Sequence, residues 1–126
     1  MPVLTKQPSM GDVLKYEANP NYTREVVTLL QGMPYPVGSV LGQITASGKY
    51  KLSTATGSDG AQTASAVLLY AVDATLEDAT GIVVLRGPAI VSREGLAYDG
   101  TVDDAAKITA KITQLAAVGI IARDGV

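Results

Sequence analysis

The sequence predicts a mainly β protein of the α+β class: a small curled sheet or β-barrel-like domain, one helix near the C-terminus and an extended N-terminal arm. Residues 38–52 alternate on both sides of the turn residues 46–49, which is typical of a β-hairpin. Gly38 and Gly42 lie beside and inside its first strand, where glycine permits a bulge, a bend or the close approach of another chain, and we interpret both as barrel-corner or bulge positions. These observations favour a curled sheet over a flat one.

Short apolar or alternating runs predict the other strands. These runs cover residues 22–30, 64–72, 82–85, 89–92 and 119–122. The run 64–72 is almost continuously apolar and short, so it predicts a strand that is buried on both faces.

One helix is predicted over about residues 102–118, with Thr101 as its N-cap and Asp104 as the capping-box partner. Gly119 is the expected stop signal. An apolar stripe is expected to pack on the sheet, and Lys107, Lys111 and Gln114 are expected to lie away from it. The stripe comprises Ala105, Ile108, Ile112 and Leu115.

The chain is predicted to form a single compact domain over residues 22–126, preceded by an arm over residues 1–21. Pro2, Pro8 and Pro20 interrupt the arm, and no helical or strand period persists in it. A disordered tail and a strand-like arm that pairs with a partner's sheet edge both fit this composition.

The composition limits the possible chemistry. The chain has no cysteine and no histidine, which removes thiolate metal sites and the commonest general base. Ten basic and twelve acidic residues, with no basic run, argue against a nucleic-acid partner. No apolar run approaches the roughly 18 residues that cross a membrane. We therefore expect no cofactor, no metal site and no catalytic residues, and we attribute Asp99, Asp103 and Asp104 to helix capping.

Seven segments, taken together and in order, carry a family resemblance. They are Y-T-R-E-V-V (22–27), G-S-V-L-G-Q-I-T-A-S-G-K-Y (38–50), D-G-A-Q-T-A (59–64), A-V-L-L-Y-A-V-D-A (66–74), V-L-R-G-P-A (84–89), V-D-D-A-A-K (102–107) and L-A-A-V-G-I-I-A-R (115–123). This set resembles the head decoration proteins of tailed phages, the group that includes the lambda protein D.

The resemblance implies a homotrimer on the outer surface of the expanded phage head, at three-fold and quasi-three-fold sites. Such trimers cement neighbouring capsomers against the pressure of packaged DNA, after synthesis in the host cytoplasm. In the family the N-terminal arm contacts the major capsid protein. Carried onto this chain, the expected capsid contacts are Val3, Leu4, Val13, Leu14, Tyr16, Tyr22, Arg24 and Val26.

Three other functions were weighed against this one. A tail or baseplate module without enzymatic activity would share the same small barrel. A biotin- or lipoyl-carrier domain would present a lysine on a hairpin tip, usually beside methionine, but Lys49 is followed by Tyr50 and Lys51. An enzyme that uses two carboxylates is the third, although no spacing marks two of the twelve acids as a pair.

Overall fold

Five strands close into a barrel, and a second, smaller sheet lies beside it. The computed structural model describes residues 10–124. The strands are β1 (Leu14–Glu17), β2 (Arg24–Leu29), β3 (Met33–Tyr35), β4 (Val40–Gln43), β5 (Tyr50–Leu52), β6 (Ala66–Leu68), β7 (Val72–Ala74), β8 (Ala79–Val84), β9 (Ala89–Ser92) and β10 (Ile120–Arg123). The helices are α1 (Met10–Val13), α2 (Pro20–Thr23) and α3 (Ala105–Ala116), with a 3₁₀ turn at Arg93–Gly95. The predicted fold class, mainly β with one helix near the C-terminus, is confirmed.

The barrel has the strand order β2-β5-β4-β6-β8, and β8 pairs back onto β2. The predicted hairpin forms β4 and β5, which are antiparallel with Leu41 opposite Leu52. The second sheet has the order β1-β9-β10, in which β9 is antiparallel to β1 and parallel to β10. Strands β3 and β7 form a separate two-stranded pair.

Two hydrophobic cores share the barrel wall. Adjacent residues of a strand point to opposite faces, so Leu41 enters one core and Val40 the other. The barrel core draws buried side chains from all five barrel strands. The outer core packs β4, β6 and β8 against β9, β10 and α3, and it includes Val13 and Leu115.

The apolar run 64–72 is shorter as a strand than predicted. Strand β6 is buried at all three positions, as expected for a strand covered on both faces. The chain then bends at Tyr70, which is 44% exposed, and continues as β7 on a different sheet. Periodicity alone did not reveal this break, because apolar residues continue through the bend.

The start of α3 and the role of Lys111 correct the sequence prediction. Asp104, not Thr101, is the N-cap: its carboxylate accepts a hydrogen bond from the Lys107 backbone N–H at 2.9 Å. The Thr101 hydroxyl instead donates to Asp99 and accepts from the backbone N–H of Ala55. Lys111, expected to lie away from the packed face, is only 2% exposed.

Candidate protein-contact surface

The first part of the described chain packs on the body of the protein. Residues 10–21 contain α1 and β1, and Val13 at the end of α1 is fully buried. Strand β1 pairs with β9, with a register irregularity between Leu14 and Tyr16. This differs from the unpacked arm that the sequence predicted for residues 1–21. An extended arm before Met10 lies outside the described residues and stays a prediction.

Strand β1 is an edge strand within residues 10–124, because β9 is the only one of the described strands that pairs with it. An edge strand presents backbone N–H and C=O groups that can pair with a strand of another chain. Tyr16 in β1 is 53% exposed. The edge therefore combines backbone pairing capacity with an exposed aromatic ring.

A charged cluster joins the end of β1 to the start of β2. The Glu17 carboxylate accepts hydrogen bonds from Arg24 Nη2 at 2.5 Å and from the Thr23 hydroxyl at 2.7 Å. Burial by itself would raise the pKa of Glu17, but these bonds and the Arg24 charge lower it below its usual value. The hydrogen bond with Glu17 is the main reason that the pKa of Arg24 is raised.

Exposed apolar side chains form a patch on the barrel wall, which we call the wall patch. It consists of Val26, Tyr70 and Ile82. Val26 lies opposite Ile82 in the β2–β8 ladder and is 68% exposed. Because alternate residues of β2 share a face, Arg24 lies at one end of the same surface. Apolar side chains exposed together mark a contact site more often than isolated ones do.

An apolar groove adjoins the wall patch. Val72 lies beside the wall patch and also lines the groove. The other apolar residues that line the groove include Pro34, Pro36 and Ala71. The wall patch and the groove are therefore neighbours, with Val72 at their boundary.

The expected capsid-contact residues fall into three groups. Tyr16, Tyr22 and Val26 are exposed. Val13 is buried in the outer core, Leu14 is half-buried opposite Val91, and Arg24 is engaged by Glu17. Val3 and Leu4 lie outside the described residues. Among the members within residues 10–124, Tyr16, Tyr22 and Val26 are therefore the ones with large exposed apolar side chains.

Tyr22 is held in place by Arg86. The Arg86 guanidinium lies 5.3 Å from the centroid of the Tyr22 ring and also donates to the Tyr22 carbonyl and to Glu25. A cation over an aromatic face contributes about 0.5–1 kcal/mol at an exposed site. The exposed ring is consequently orientated by the body of the protein.

Sequence reasoning missed Tyr70 and Ile82. Ile82 belonged to the apolar run 82–85, which predicted a strand, but its pairing with Val26 depends on register. Tyr70 was hidden within an apolar run that predicted a buried strand. Nothing in the sequence placed either residue beside Val26.

Other candidate chemistry is accounted for by local contacts. Lys49, considered as a carrier lysine, forms an ion pair with Asp78 at 2.6 Å. Asp103 pairs with Lys107, and Asp104 caps α3. Within residues 10–124, no group of three or more acidic side chains is placed to hold a metal ion. None of the helices in that range is long and apolar enough to cross a membrane.

The barrel with its exposed apolar wall, and the smaller sheet with its edge strand β1, define a small β-barrel protein with surfaces suited to protein–protein contact. The family model for bacteriophage lambda head decoration protein D matches residues 3–120, which is most of the chain. The chain belongs to this family of phage head decoration proteins. This family is a structural one of the phage head and is not known for enzymes. A comparison with curated protein sequences gave no significant match.

Proposed function

We propose that this chain is a capsid decoration protein that trimerises and binds the outer surface of the expanded phage head. It would occupy three-fold and quasi-three-fold sites and stabilise the head against the pressure of packaged DNA. The observation that carries the proposal is the family match over residues 3–120. That match also favours a head protein over a tail or baseplate module.

The N-terminal segment is proposed to pair with the major capsid protein. The edge position of β1 supports this, because a strand added to that edge would gain backbone hydrogen bonds. Val3 and Leu4 would extend the contact beyond Met10, and Tyr16 would add an exposed ring next to the edge. Three such segments on one trimer would bind with avidity, so each contact can be weak by itself.

The wall patch is proposed to contact the capsid together with Tyr22. Val26, which belongs to both the expected contact set and the wall patch, is the most exposed of the three patch residues. Desolvating such side chains contributes about 25 cal/mol per Å² of apolar area. A charged residue at this position would oppose that desolvation.

The test compares wild type with Val26→Asp in two measurements. Sedimentation equilibrium should give three chains per particle for both proteins. Only the wild-type protein should co-sediment with expanded heads. A control substitution must not disturb the core, so Val118, which packs on the outer core, is unsuitable. Thr109→Asp, on the exposed side of α3, is the matched surface control and should bind like wild type.

Loss of the trimer in Val26→Asp would instead make the wall patch an interface between protomers. A wild-type protein that sediments as a single chain would contradict the trimer proposal. Unchanged binding of Val26→Asp to heads would remove the wall patch from the capsid contact.

A further inference from the structure

The Glu17–Arg24 pair is unusual among the ion pairs of residues 10–124 because its carboxylate is nearly buried. The Glu17 side chain is 9% exposed and the Arg24 side chain 24%. Arg24 Nε lies 3.0 Å and 3.3 Å from the two carboxylate oxygens, and Nη2 lies 2.5 Å from the first. Such a forked arrangement fixes orientation as well as distance.

Thr23 completes the cluster from within the core. It is fully buried, and its hydroxyl lies within hydrogen-bond distance of both the Glu17 carboxylate and the Asn19 carbonyl. Its carbonyl accepts from the backbone N–H of Leu85, which follows barrel strand β8. The Glu17 side chain is thus tied to the barrel through Thr23 and Arg24, while its backbone pairs with Ala89 in the small sheet.

The cluster closes the chain reversal between β1 and β2. Asn19 caps the short turn α2 by accepting from the backbone N–H of Asn21 at 2.9 Å. On the other side, the Ala18 N–H donates to the Pro88 carbonyl, just before β9. Residues 17–24 therefore touch both sheets.

Besides the Glu17 contacts, β1 is held by its pairing with β9 and by the buried Val13 that precedes it. It is four residues long, its pairing with β9 is irregular, and Lys15 and Tyr16 are exposed. Short edge strands of this kind open more easily than core strands. A nearly buried ion pair at the end of such a strand is well placed to control that opening.

We propose that Glu17, Arg24 and Thr23 form a clasp, a set of side-chain contacts that holds the C-terminal end of β1 against the barrel. Breaking the clasp is expected to release β1 while the barrel stays folded. Any effect of the clasp on capsid binding through β1 rests on the proposed function. The clasp itself is a property of the free protein.

Hydrogen exchange followed by mass spectrometry on the full chain tests the clasp. Glu17→Gln preserves the shape of the side chain and removes its charge. We expect peptides covering residues 14–18 to exchange about tenfold faster in this variant, with β4 and β6 unchanged. Glu25→Gln is the matched control, because the Glu25–Arg86 pair involves the next residue of β2 but is 46% and 33% exposed.

The double variant Glu17→Arg with Arg24→Glu should recover part of the protection from exchange that Glu17→Gln loses over residues 14–18. If Glu17→Gln acted only by disturbing packing, the double variant would show no such recovery. Unchanged exchange over residues 14–18 in Glu17→Gln would overturn the clasp. Equal acceleration over β1, β4 and β6 would also overturn it, because the pair would then stabilise the whole fold. Since heads are absent from this measurement, failure of wild type to bind heads would count against the proposed function alone.

Discussion

Lys111 shows, at the scale of one residue, how a buried charge can organise a helix and a loop. Its ammonium donates to the Ser53 hydroxyl at 2.9 Å and to the carbonyls of Thr54 and Gln62 at 2.6 and 2.5 Å. Burial lowers the pKa of Lys111, and the nearby charge of Asp99 partly opposes this. Three donors meet three acceptors, which is what makes burial of the group tolerable.

Replacing Lys111 with methionine should destabilise the protein by about 2–4 kcal/mol, because one buried and two partly buried acceptors would lose their donor. Lys107→Met is the matched control on the same helix, where the side chain is 42% exposed and pairs with Asp103. It should leave the free energy of unfolding almost unchanged, because an exposed ion pair contributes little to stability. Urea unfolding of both variants checks this, and equal stabilities would contradict it.

Stability should fall in acid because several carboxyl groups have lowered pKa values in the folded chain. A hydrogen bond from Lys51 lowers the pKa of Asp59, and one from Lys49 lowers the pKa of Asp78. At Glu17, burial raises the pKa, but the interactions with Arg24 and Thr23 lower it by more. The unfolded chain binds these protons more tightly, so the stabilisation is complete above the usual carboxyl pKa and is lost as the pH falls through the folded value.

Urea midpoints at about pH 7 and about pH 3 measure this effect. The gap in stability between wild type and Glu17→Gln should narrow at the lower pH, because wild type loses the same charge by protonation. A gap of constant size would show that the Glu17 charge does not contribute to stability.

The hairpin β4–β5 is the element that sequence reasoning predicted best. Its alternation, its turn and its glycines were all local signals, and Gly48 does adopt a positive φ of 77°. Gly42 was interpreted from the sequence as a barrel-corner or bulge position, but in the structure it permits the close approach of another chain segment. A Cβ added there would lie 2.2 Å from the Ala61 carbonyl oxygen, so the loop between β5 and β6 crosses the strand at that point.

Gly42→Ala should cost at least about 2 kcal/mol, because the obstructing atoms belong to the backbone and cannot rotate away. Gly100→Ala provides the control, since a Cβ at that position meets nothing within 4 Å. Thermal unfolding of the two variants separates crowding from the general effect of adding a methyl group. A Gly42→Ala protein as stable as Gly100→Ala would show that the loop can move aside.

Elements that depend on distant partners were predicted less well. Strand β1 has only four residues, and β9, its partner, lies more than seventy positions further along the chain. Pro20, which marked the segment as irregular, sits at the start of the short turn α2. What makes this segment a strand is its pairing with β9, and local periodicity carries no information about a distant partner.

At the scale of the whole molecule, barrel closure decides which residues form the candidate site. Val26 and Ile82 face each other because β8 pairs back onto β2, and Tyr70 joins them because the chain bends after β6. The sequence predicted a curled or barrel-like sheet but not the strand order. It could therefore name Val26 as an expected contact residue, which stays a prediction, without identifying its neighbours.

The family resemblance, by contrast, depended on the order of segments along the chain and needed no tertiary information. It predicted the decoration family, which the match over residues 3–120 confirms. Trimerisation, the three-fold sites and the pairing of the N-terminal segment stay proposals.

Binding to phage heads tests the central claim most directly. Heads assembled without this protein, from the phage that encodes it, would be prepared in unexpanded and expanded forms and mixed with the wild-type chain. We expect co-sedimentation with expanded heads only, together with an increase in the temperature at which filled heads release DNA. Absence of binding to expanded heads, or binding without any gain in head stability, would contradict the assignment as a stabilising decoration protein.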